Sequence, residues 1–175
     1  MKNLIILICI LPMTLSYSQN KTTIKDFGKV FTVKNPDLLL DKNKTYKIIF
    51  DIYTDHKDDG KVNPLLNTVA RFINMHVETG VPIENLNIVV IIHGKATKDV
   101  LISKVYQKEF DKENPNSKLL SLLNNAQVDT YVCGQSYAYK KYEPASLDNN
   151  VKMALSALTV LVKYQSEGYQ LITFN

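Results

Sequence analysis

Cysteine is scarce in this chain, and its scarcity excludes several kinds of site. The 175 residues contain two cysteines, Cys9 and Cys133, which is too few for a disulfide scaffold. No Cys-x-x-Cys or His-x-x-x-His spacing indicates a zinc site, and neither glycine-rich signature of a phosphate-binding loop occurs. The serines also lack the Gly-x-Ser-x-Gly elbow of serine hydrolases. The sequence therefore predicts no metal and no cofactor.

Charge of one sign is not in large excess either. Lysine and arginine number 21 against 17 acidic residues, a net charge of +4. The lysines are spread along the chain without interleaved aromatic residues, so a nucleic-acid surface has little support. Hydrophobic residues make up 45% of the chain and no low-complexity run occurs. This composition predicts one folded domain rather than a disordered chain.

The N-terminal hydrophobic run is too short to span a membrane, which needs roughly 20 apolar residues. Residues 1–18 instead have the pattern of a signal peptide. Lys2 supplies a positive start, residues 4–11 are apolar, and small residues precede a predicted cut between Ser18 and Gln19. We expect export to the periplasm, with no membrane contact after cleavage. An uncleaved N-terminal anchor is the alternative.

The rest of the chain divides into an N-terminal extension, residues 19–45, and a domain, residues 46–175. Within the extension, residues 30–33 are a possible edge strand. The domain alternates short apolar runs with segments of helical spacing. In chain order, the predicted elements are a strand at 46–53, a helix from Asn63-Pro64 to Gly80, a strand at 86–92, a helix at 97–110, a helix from Asn114-Pro115, a strand at 128–132, chain that is irregular or contains one helical turn at 135–150, a helix at 151–165 and a strand at 169–174.

This element order, β-α-β-α-α-β-α-β, predicts an α/β layered sandwich around a mainly parallel sheet. The helix predicted at 151–165 contains the small residues Ala154, Ser156 and Ala157. It also carries a mostly apolar stripe. We expect this stripe to face inward: Ala154, Leu155, Leu158, Leu161 and Val162.

Cys133 is the residue best placed for chemistry. Signal cleavage would remove Cys9 and leave a single thiol, although exported proteins normally pair their cysteines or lack them. Cys133 follows the strand predicted at 128–132, and His93 follows the strand predicted at 86–92. Because the carboxyl ends of parallel strands meet at one edge of a sheet, we expect both side chains there. An imidazolium or nearby backbone N–H groups would favour the thiolate, which is the nucleophile.

The residues that follow these two side chains are the candidate binding residues: Gly94, Gly134, Gln135 and Ser136. The glycine after the cysteine lets the backbone turn sharply, and the next two side chains offer hydrogen bonds to a sulfur anion or a small ligand. The alternative is structural, with Cys133 as a small buried hydrophobe and His93 holding the local fold. We expect no functional role for His76, on the apolar stripe of the first helix, or for His56, in a polar loop.

Several segments resemble those of the exported branch of the DsrE/DsrF-like family, over roughly residues 45–174. They are Val132-Cys-Gly-Gln-Ser136 and Ala154-Leu-Ser-Ala-Leu-Thr159, the two most specific, with Tyr46-Lys-Ile-Ile-Phe-Asp51, Val89-Val-Ile-Ile-His-Gly94, Asn114-Pro-Asn116 and Gly168-Tyr169. The resemblance implies a compact α/β sandwich that assembles into trimers or hexamers. It also implies sulfur chemistry, with sulfur carried as a persulfide on a cysteine. Cys133 matches that position.

The function that these observations favour is that of a periplasmic sulfur-binding or sulfur-transfer protein. Cys133 would take sulfur from a small sulfur-containing molecule and pass it to an acceptor thiol protein. His93 or backbone donors near Gly134 would stabilise the charge. Two alternatives stay open: a non-catalytic oligomeric binding module with an inert buried cysteine, and a redox-sensing thiol protein. Whether the protein is an enzyme is open as well.

Overall fold

A five-stranded sheet, parallel throughout, forms the centre of the computed structural model, which describes residues 23–174. The predicted signal peptide and Cys9 lie outside the described residues. The strands in chain order are β1 Tyr46–Ile52, β2 Leu86–Ile92, β3 Asp129–Cys133, β4 Lys152–Ala154 and β5 Gln170–Thr173. Their spatial order is β4-β3-β2-β1-β5. The predicted α/β class with a layered, parallel sheet is confirmed.

Helices connect the strands. The α-helices are α1 Pro64–Glu78, α2 Ser103–Phe110, α3 Ser117–Asn125, α4 Gly134–Tyr139 and α5 Ala157–Ser166. Three 3-10 helices accompany them, at Ile83–Asn85, Gly94–Val100 and Pro144–Ser146. In the part of the chain that the structure describes, no helix combines the length and the apolar character needed to cross a membrane.

Strand β2 lies at the centre of the sheet and is buried on both faces. Of its residues, Asn87 alone is exposed, which explains the near-continuous apolar run in the sequence. In the parallel register, Ile92 lies opposite both Ile52 and Val132. The three central strands therefore end at the same level, and the residues at and just beyond these ends meet at one edge of the sheet.

The two faces of the sheet carry cores of unequal size. One face, with side chains such as Ile48, Phe50 and Val90, packs with α1 and α3 into the larger cluster. The opposite face is covered by α5. Its cluster contains Ile49, Val89, Ile91 and Cys133 from the sheet and Ala157, Val160 and Tyr164 from the helix. Cys133 therefore lies beneath α5.

Helix α1 begins and ends as the sequence predicts. The side-chain oxygen of Asn63 accepts hydrogen bonds from the backbone N–H groups of Leu65 and Leu66 at 2.8 and 3.3 Å. Pro64 occupies the first helical position, where its missing N–H costs nothing. Gly80 follows the helix with a φ of +96°, a conformation that strains residues with a Cβ atom.

A buried lysine holds the loop that follows β1. The ammonium group of Lys98 lies 3.3 Å from Asp55, 3.0 Å from Asp59 and 3.1 Å from Asp99. Burial lowers the pKa of Lys98, but its contacts with Asp99, Tyr106 and Asp59 outweigh burial and raise the pKa above its ordinary value. Because Lys98 stays charged, the cluster ties the loop to the 3-10 helix at Gly94–Val100.

The helix predicted at 97–110 is wrong as a single element. The structure has a 3-10 helix and then α2, with extended backbone at Leu101 and Ile102 between them. The N–H of Ile102 donates to the carbonyl of Ser146 at 2.9 Å, and the Asn114 side chain donates to the carbonyl of Leu101 at 2.6 Å. These long-range hydrogen bonds take the backbone groups that a continuous helix would use.

The helix predicted at 151–165 is wrong in its first part, which forms strand β4 instead. This short strand pairs in parallel with β3, and α5 begins only at Ala157. Ser156 sets this start, because its hydroxyl oxygen accepts the N–H of Thr159 at 3.0 Å. The open edge of β3 thus supplies backbone partners that a local helical pattern does not reveal.

The inward stripe predicted for that helix is wrong for three of its five residues. Leu155, Leu158 and Val162 are 72%, 74% and 70% exposed. The buried side chains of α5 are Ala157, Val160 and Tyr164. Strand β4 leads directly into α5 and so sets which side of α5 faces the sheet. The sequence pattern does not indicate this connection.

Three smaller expectations also need correction. Residues 135–150, predicted to be irregular or to contain one helical turn, contain two helical segments, most of α4 and the last 3-10 helix. Residues 30–33, within the described part of the chain, form no strand. The helix predicted from Asn114-Pro115 begins at Ser117, because the Asn114 side chain accepts the N–H of Asn116 at 2.9 Å and forms a turn before the helix.

Asn74, a buried residue of α1, attaches the N-terminal extension to the domain. Its side-chain oxygen accepts the N–H of Ile24 at 2.8 Å. Its amide nitrogen lies 3.1, 3.0 and 3.2 Å from the carbonyl oxygens of Ile24, Phe27 and Gly28. We expect Asn74→Ala to lower the free energy of unfolding by about 2–3 kcal/mol, because buried backbone groups lose their partners. Denaturant unfolding measures this change.

The matched control is Asn124→Ala, an exposed asparagine near the end of α3. A surface substitution of this kind changes stability by less than about 0.5 kcal/mol. Equal losses in the two variants would contradict the role of Asn74.

Candidate functional site

Cys133 is the last residue of β3, and its sulfur lies at the start of α4. The backbone N–H of Ser136 points to the sulfur at an N–Sγ distance of 3.4 Å. Cys133 is 5% exposed in the single chain. Gly134 follows it because the backbone of β4 approaches closely: a Cβ atom on Gly134 would lie 2.6 Å from the carbonyl oxygen of Ala154. The close approach brings the end of β4 next to the thiol.

The surroundings of the sulfur favour the thiolate. Burial raises the pKa of Cys133, but hydrogen bonds from the hydroxyl of Ser136 and from the backbone N–H groups of Ser136, Ala157 and Gln135 lower it. The hydrogen bonds outweigh burial, so the pKa of Cys133 lies below its ordinary value. A thiolate is the nucleophilic form of cysteine, so the arrangement is suited to covalent sulfur chemistry.

One of these donors comes from a distant part of the chain. Ala157 is the first residue of α5, and Ser156 fixes that start through its hydrogen bond with Thr159. The N–H groups of a helix's first turn have no partners within the helix, and the helix dipole favours negative charge there. The start of α5 therefore contributes to the low pKa of Cys133.

His93 lies at the predicted edge of the sheet but binds a different partner. It follows Ile92, which pairs with Val132, so His93 comes at the level of Cys133 along the strands. Its Nε2 atom lies 2.7 Å from the carboxylate of Asp51. Among the described residues, no hydrogen bond joins His93 to Cys133. A chemical role for His93 therefore stays a prediction.

Three of the four predicted binding residues line one open pocket of about 400 Å³, together with residues that the sequence did not indicate. The pocket is lined by Gly94, Lys95, Gln135, Ser136, Tyr139 and Lys140. The N–H of Gly94 donates to the hydroxyl oxygen of Ser136 at 3.3 Å. Because the backbone N–H of the same residue points to the sulfur at 3.4 Å, Ser136 connects the pocket with the thiol. We name these six residues the edge pocket.

The signals for the missed residues were weak. Tyr139 and Lys140 lie in a segment predicted to be irregular or to contain one helical turn, and Gly134–Tyr139 forms α4. The predicted helix at 151–165 includes Ala157 in its interior, so the sequence does not indicate that the Ala157 N–H lies in the first turn of a helix. Lys95 is one lysine among many in the sequence. These residues lie in segments that follow β2 and β3 or begin α5, and the parallel sheet brings those segments together at one edge.

The two other histidines lie apart from this arrangement. His76 bonds through Nδ1 to the carbonyl of Phe72 at 2.7 Å, and Nδ1 of His56 accepts the N–H of Asp58 at 3.0 Å. Within residues 23–174, no group of three or more histidine, cysteine or acidic side chains is placed to hold a metal ion.

Ser136 provides a test of the thiolate's surroundings. We expect Ser136→Ala to raise the pKa of Cys133, because it removes the hydroxyl donor and leaves the backbone donors in place. The midpoint of the pH dependence of iodoacetamide modification should move up by roughly 0.5–1 pH unit, about the value of one hydrogen bond to a charged group. Peptide mapping assigns the modification to Cys133.

The matched control is Gln135→Ala. This change removes a side chain but keeps the backbone N–H that faces the sulfur, so the midpoint should not move. An unchanged midpoint in Ser136→Ala would show that the hydroxyl does not act on the thiol.

Comparisons with known proteins agree with this fold. The structure is similar to MTH1491 from Methanobacterium thermoautotrophicum, a protein of unknown function, at 17% identity and a TM-score of 0.54, over 74% of this chain and 99% of that one. It is also similar to the YchN protein from E. coli, at 18% identity and a TM-score of 0.54, over 74% of this chain and 100% of that one. No curated protein matches the chain. The model of the DsrE/DsrF-like family matches residues 47–174, and the chain belongs to this family.

Proposed function

We propose that this protein is an exported sulfur carrier that holds sulfur as a persulfide on Cys133. Family membership indicates a sulfur-related role. The observation that carries the finer proposal is the position of the Cys133 sulfur at the start of α4, 3.4 Å from the backbone N–H of Ser136. Donors around the sulfur lower the pKa of this buried thiol. Residues 1–18 carry the export signal in this proposal.

The proposed reaction is an exchange at sulfur and needs no oxidant. The thiolate of Cys133 attacks the outer sulfur of a donor persulfide or polysulfide. A new S–S bond forms, the donor S–S bond breaks, and the donor leaves as a thiolate with the electron pair. In the second half, an acceptor thiolate attacks the outer sulfur on Cys133, and the cysteine leaves as a thiolate. A low pKa makes Cys133 a good leaving group.

We propose that the backbone donors, rather than His93, stabilise the negative charge of the Cys133 thiolate. The N–H of Ser136 lies 3.4 Å from the sulfur. The Ser136 hydroxyl and the N–H groups of Gln135 and Ala157 also lower the pKa of Cys133, whereas Nε2 of His93 bonds to Asp51. We propose for the His93–Asp51 pair the separate role of accepting a proton from the incoming acceptor thiol.

Mass spectrometry of the intact protein tests the proposal. After exposure to inorganic polysulfide, the wild-type protein should gain the mass of one sulfur atom, and a reductant should remove it. Peptide mapping should place the added sulfur on Cys133, and Cys133→Ser should gain none there. No adduct in the wild-type protein, or an equal adduct in the variant, would refute persulfide formation on Cys133.

The burial of Cys133 favours a second candidate function, a binding module with an inert cysteine. Its 5% exposure limits the access of large reagents. Labelling with iodoacetamide before and after denaturation separates the two functions. Labelling of the native protein supports the sulfur carrier, and labelling that requires denaturation supports the module.

We also propose that the protein is a homo-oligomer, as trimers or hexamers, through an apolar ridge on α5 and β4. The ridge consists of Met153, Leu155, Leu158 and Val162, which are exposed in the single chain. Contiguous apolar surface of this kind is typical of protein interfaces. The occupant that we assign is a second copy of this chain, because the resemblance to DsrE/DsrF-like proteins implies assembly of identical subunits.

Light scattering at micromolar concentration tests the ridge. Leu158→Lys should shift the protein to the monomer, because a charge would be buried at the interface. The matched control is Leu171→Lys on β5, where the side chain is 40% exposed, and it should leave the assembly unchanged. A wild-type protein that is monomeric would contradict the proposal.

A further inference from the structure

The charged side chains that line the edge pocket are all positive. Two lysines, Lys95 and Lys140, line it, and no carboxylate does. Some exposed lysines elsewhere pair with acidic side chains, as Lys112 does with Asp58 and Lys152 does with Asp129, and others, such as Lys104 and Lys108, are as exposed as those of the pocket. Among the described residues, neither lysine of the pocket forms an ion pair. The pocket therefore presents positive charge to solvent without compensation.

The neutral groups of the pocket suit a small anion. The Gln135 amide is a hydrogen-bond donor, and the exposed ring of Tyr139 also lines the pocket. Gly94 adopts a φ of +59° and lies against the backbone just after β1. A Cβ atom on Gly94 would be 3.0 Å from the carbonyl oxygen of Tyr53. This constraint fixes the rim of the pocket.

The pocket is connected to the thiol through two shared residues. Ser136 lines the pocket and its backbone N–H lies 3.4 Å from the sulfur. Gln135 lines the pocket too, and its backbone N–H helps to lower the pKa of Cys133. A ligand in the edge pocket would lie one side chain away from Cys133.

We propose that the edge pocket selects small anionic sulfane-sulfur compounds as the sulfur donors, over neutral and cationic ones. This inference rests on the proposed function and names its substrate class. Clustered charge of one sign raises the local concentration of oppositely charged ligands and their association rates by about tenfold or more. Lys95 and Lys140 supply this attraction in the edge pocket, next to Ser136.

Thiosulfate is the simplest probe of this class. The thiolate of Cys133 attacks the outer sulfur, a new S–S bond forms, and the S–S bond of thiosulfate breaks. Sulfite leaves with the electron pair, and Cys133 carries the persulfide. The total charge is the same before and after the step, and no oxidant or reductant is required.

Charged thiosulfonate reagents test the selectivity without relying on persulfide formation. Sulfonatoethyl methanethiosulfonate is anionic, and trimethylammonioethyl methanethiosulfonate is cationic. With either reagent, the thiolate forms a mixed disulfide and methanesulfinate leaves. We expect the rate ratio, anionic over cationic, to be at least about tenfold higher for Cys133 than for a free cysteine peptide at low salt, and to fall as salt is added.

The variant Lys95→Gln with Lys140→Gln should bring this ratio close to that of the peptide and slow persulfide formation with thiosulfate by a similar factor. The matched control is Lys104→Gln with Lys108→Gln, which removes the same charge from the exposed side of α2 and should leave the ratio high. Both variants should unfold at the wild-type denaturant concentration.

The outcomes separate this inference from the proposed function. Three results would overturn the role of the edge pocket. The rate ratio of Cys133 could equal that of the peptide, the ratio could fall equally in both double variants, or neither reagent could label the native protein. If polysulfide still forms a persulfide on Cys133 in that case, the sulfur-carrier function stands. A high, lysine-dependent ratio without a persulfide from any donor would support the pocket and refute the carrier function.

Discussion

The close backbone contact between β3 and β4 is the constraint on which the site depends. Gly134 has no Cβ atom, and one added there would lie 2.6 Å from the carbonyl oxygen of Ala154. The contact places the start of α5 over the end of β3, so that the N–H of Ala157 reaches Cys133. Helix α4 starts directly after β3 and supplies the remaining donors. A buried thiol thereby obtains hydrogen bonds from two helices.

These hydrogen bonds resolve a conflict between burial and charge. Burial of a cysteine among apolar side chains favours the neutral thiol, and Cys133 packs with Ile91 and Val160 beneath α5. The donors at the helix starts act in the opposite direction and outweigh burial. The same apolar surroundings that limit access of solvent would also protect a persulfide from other thiols, which suits a carrier.

Two lysines on the 3-10 helix at Gly94–Val100 differ in their burial and in their ion pairs. Lys98 is buried, and Asp55, Asp59 and Asp99 compensate its charge, so that it holds a loop. Lys95, three residues earlier, is exposed at the edge pocket and has no such compensation among the described residues. Lys98 therefore stabilises the fold, and Lys95 is one of the charges to which we assign the attraction of an anionic ligand.

The sequence by itself determined the elements whose signals are local: the apolar run of β2, the cap of α1 at Asn63, and Cys133 at the end of a parallel strand. It failed at 97–110 and 151–165, where long-range hydrogen bonds and strand pairing override a helical pattern. The tertiary structure alone decided which donors face the sulfur, that the nearest partner of His93 is Asp51, and which lysines line the edge pocket. The physical reason is that strand register and crossovers bring together residues far apart in sequence, and no local pattern encodes these contacts.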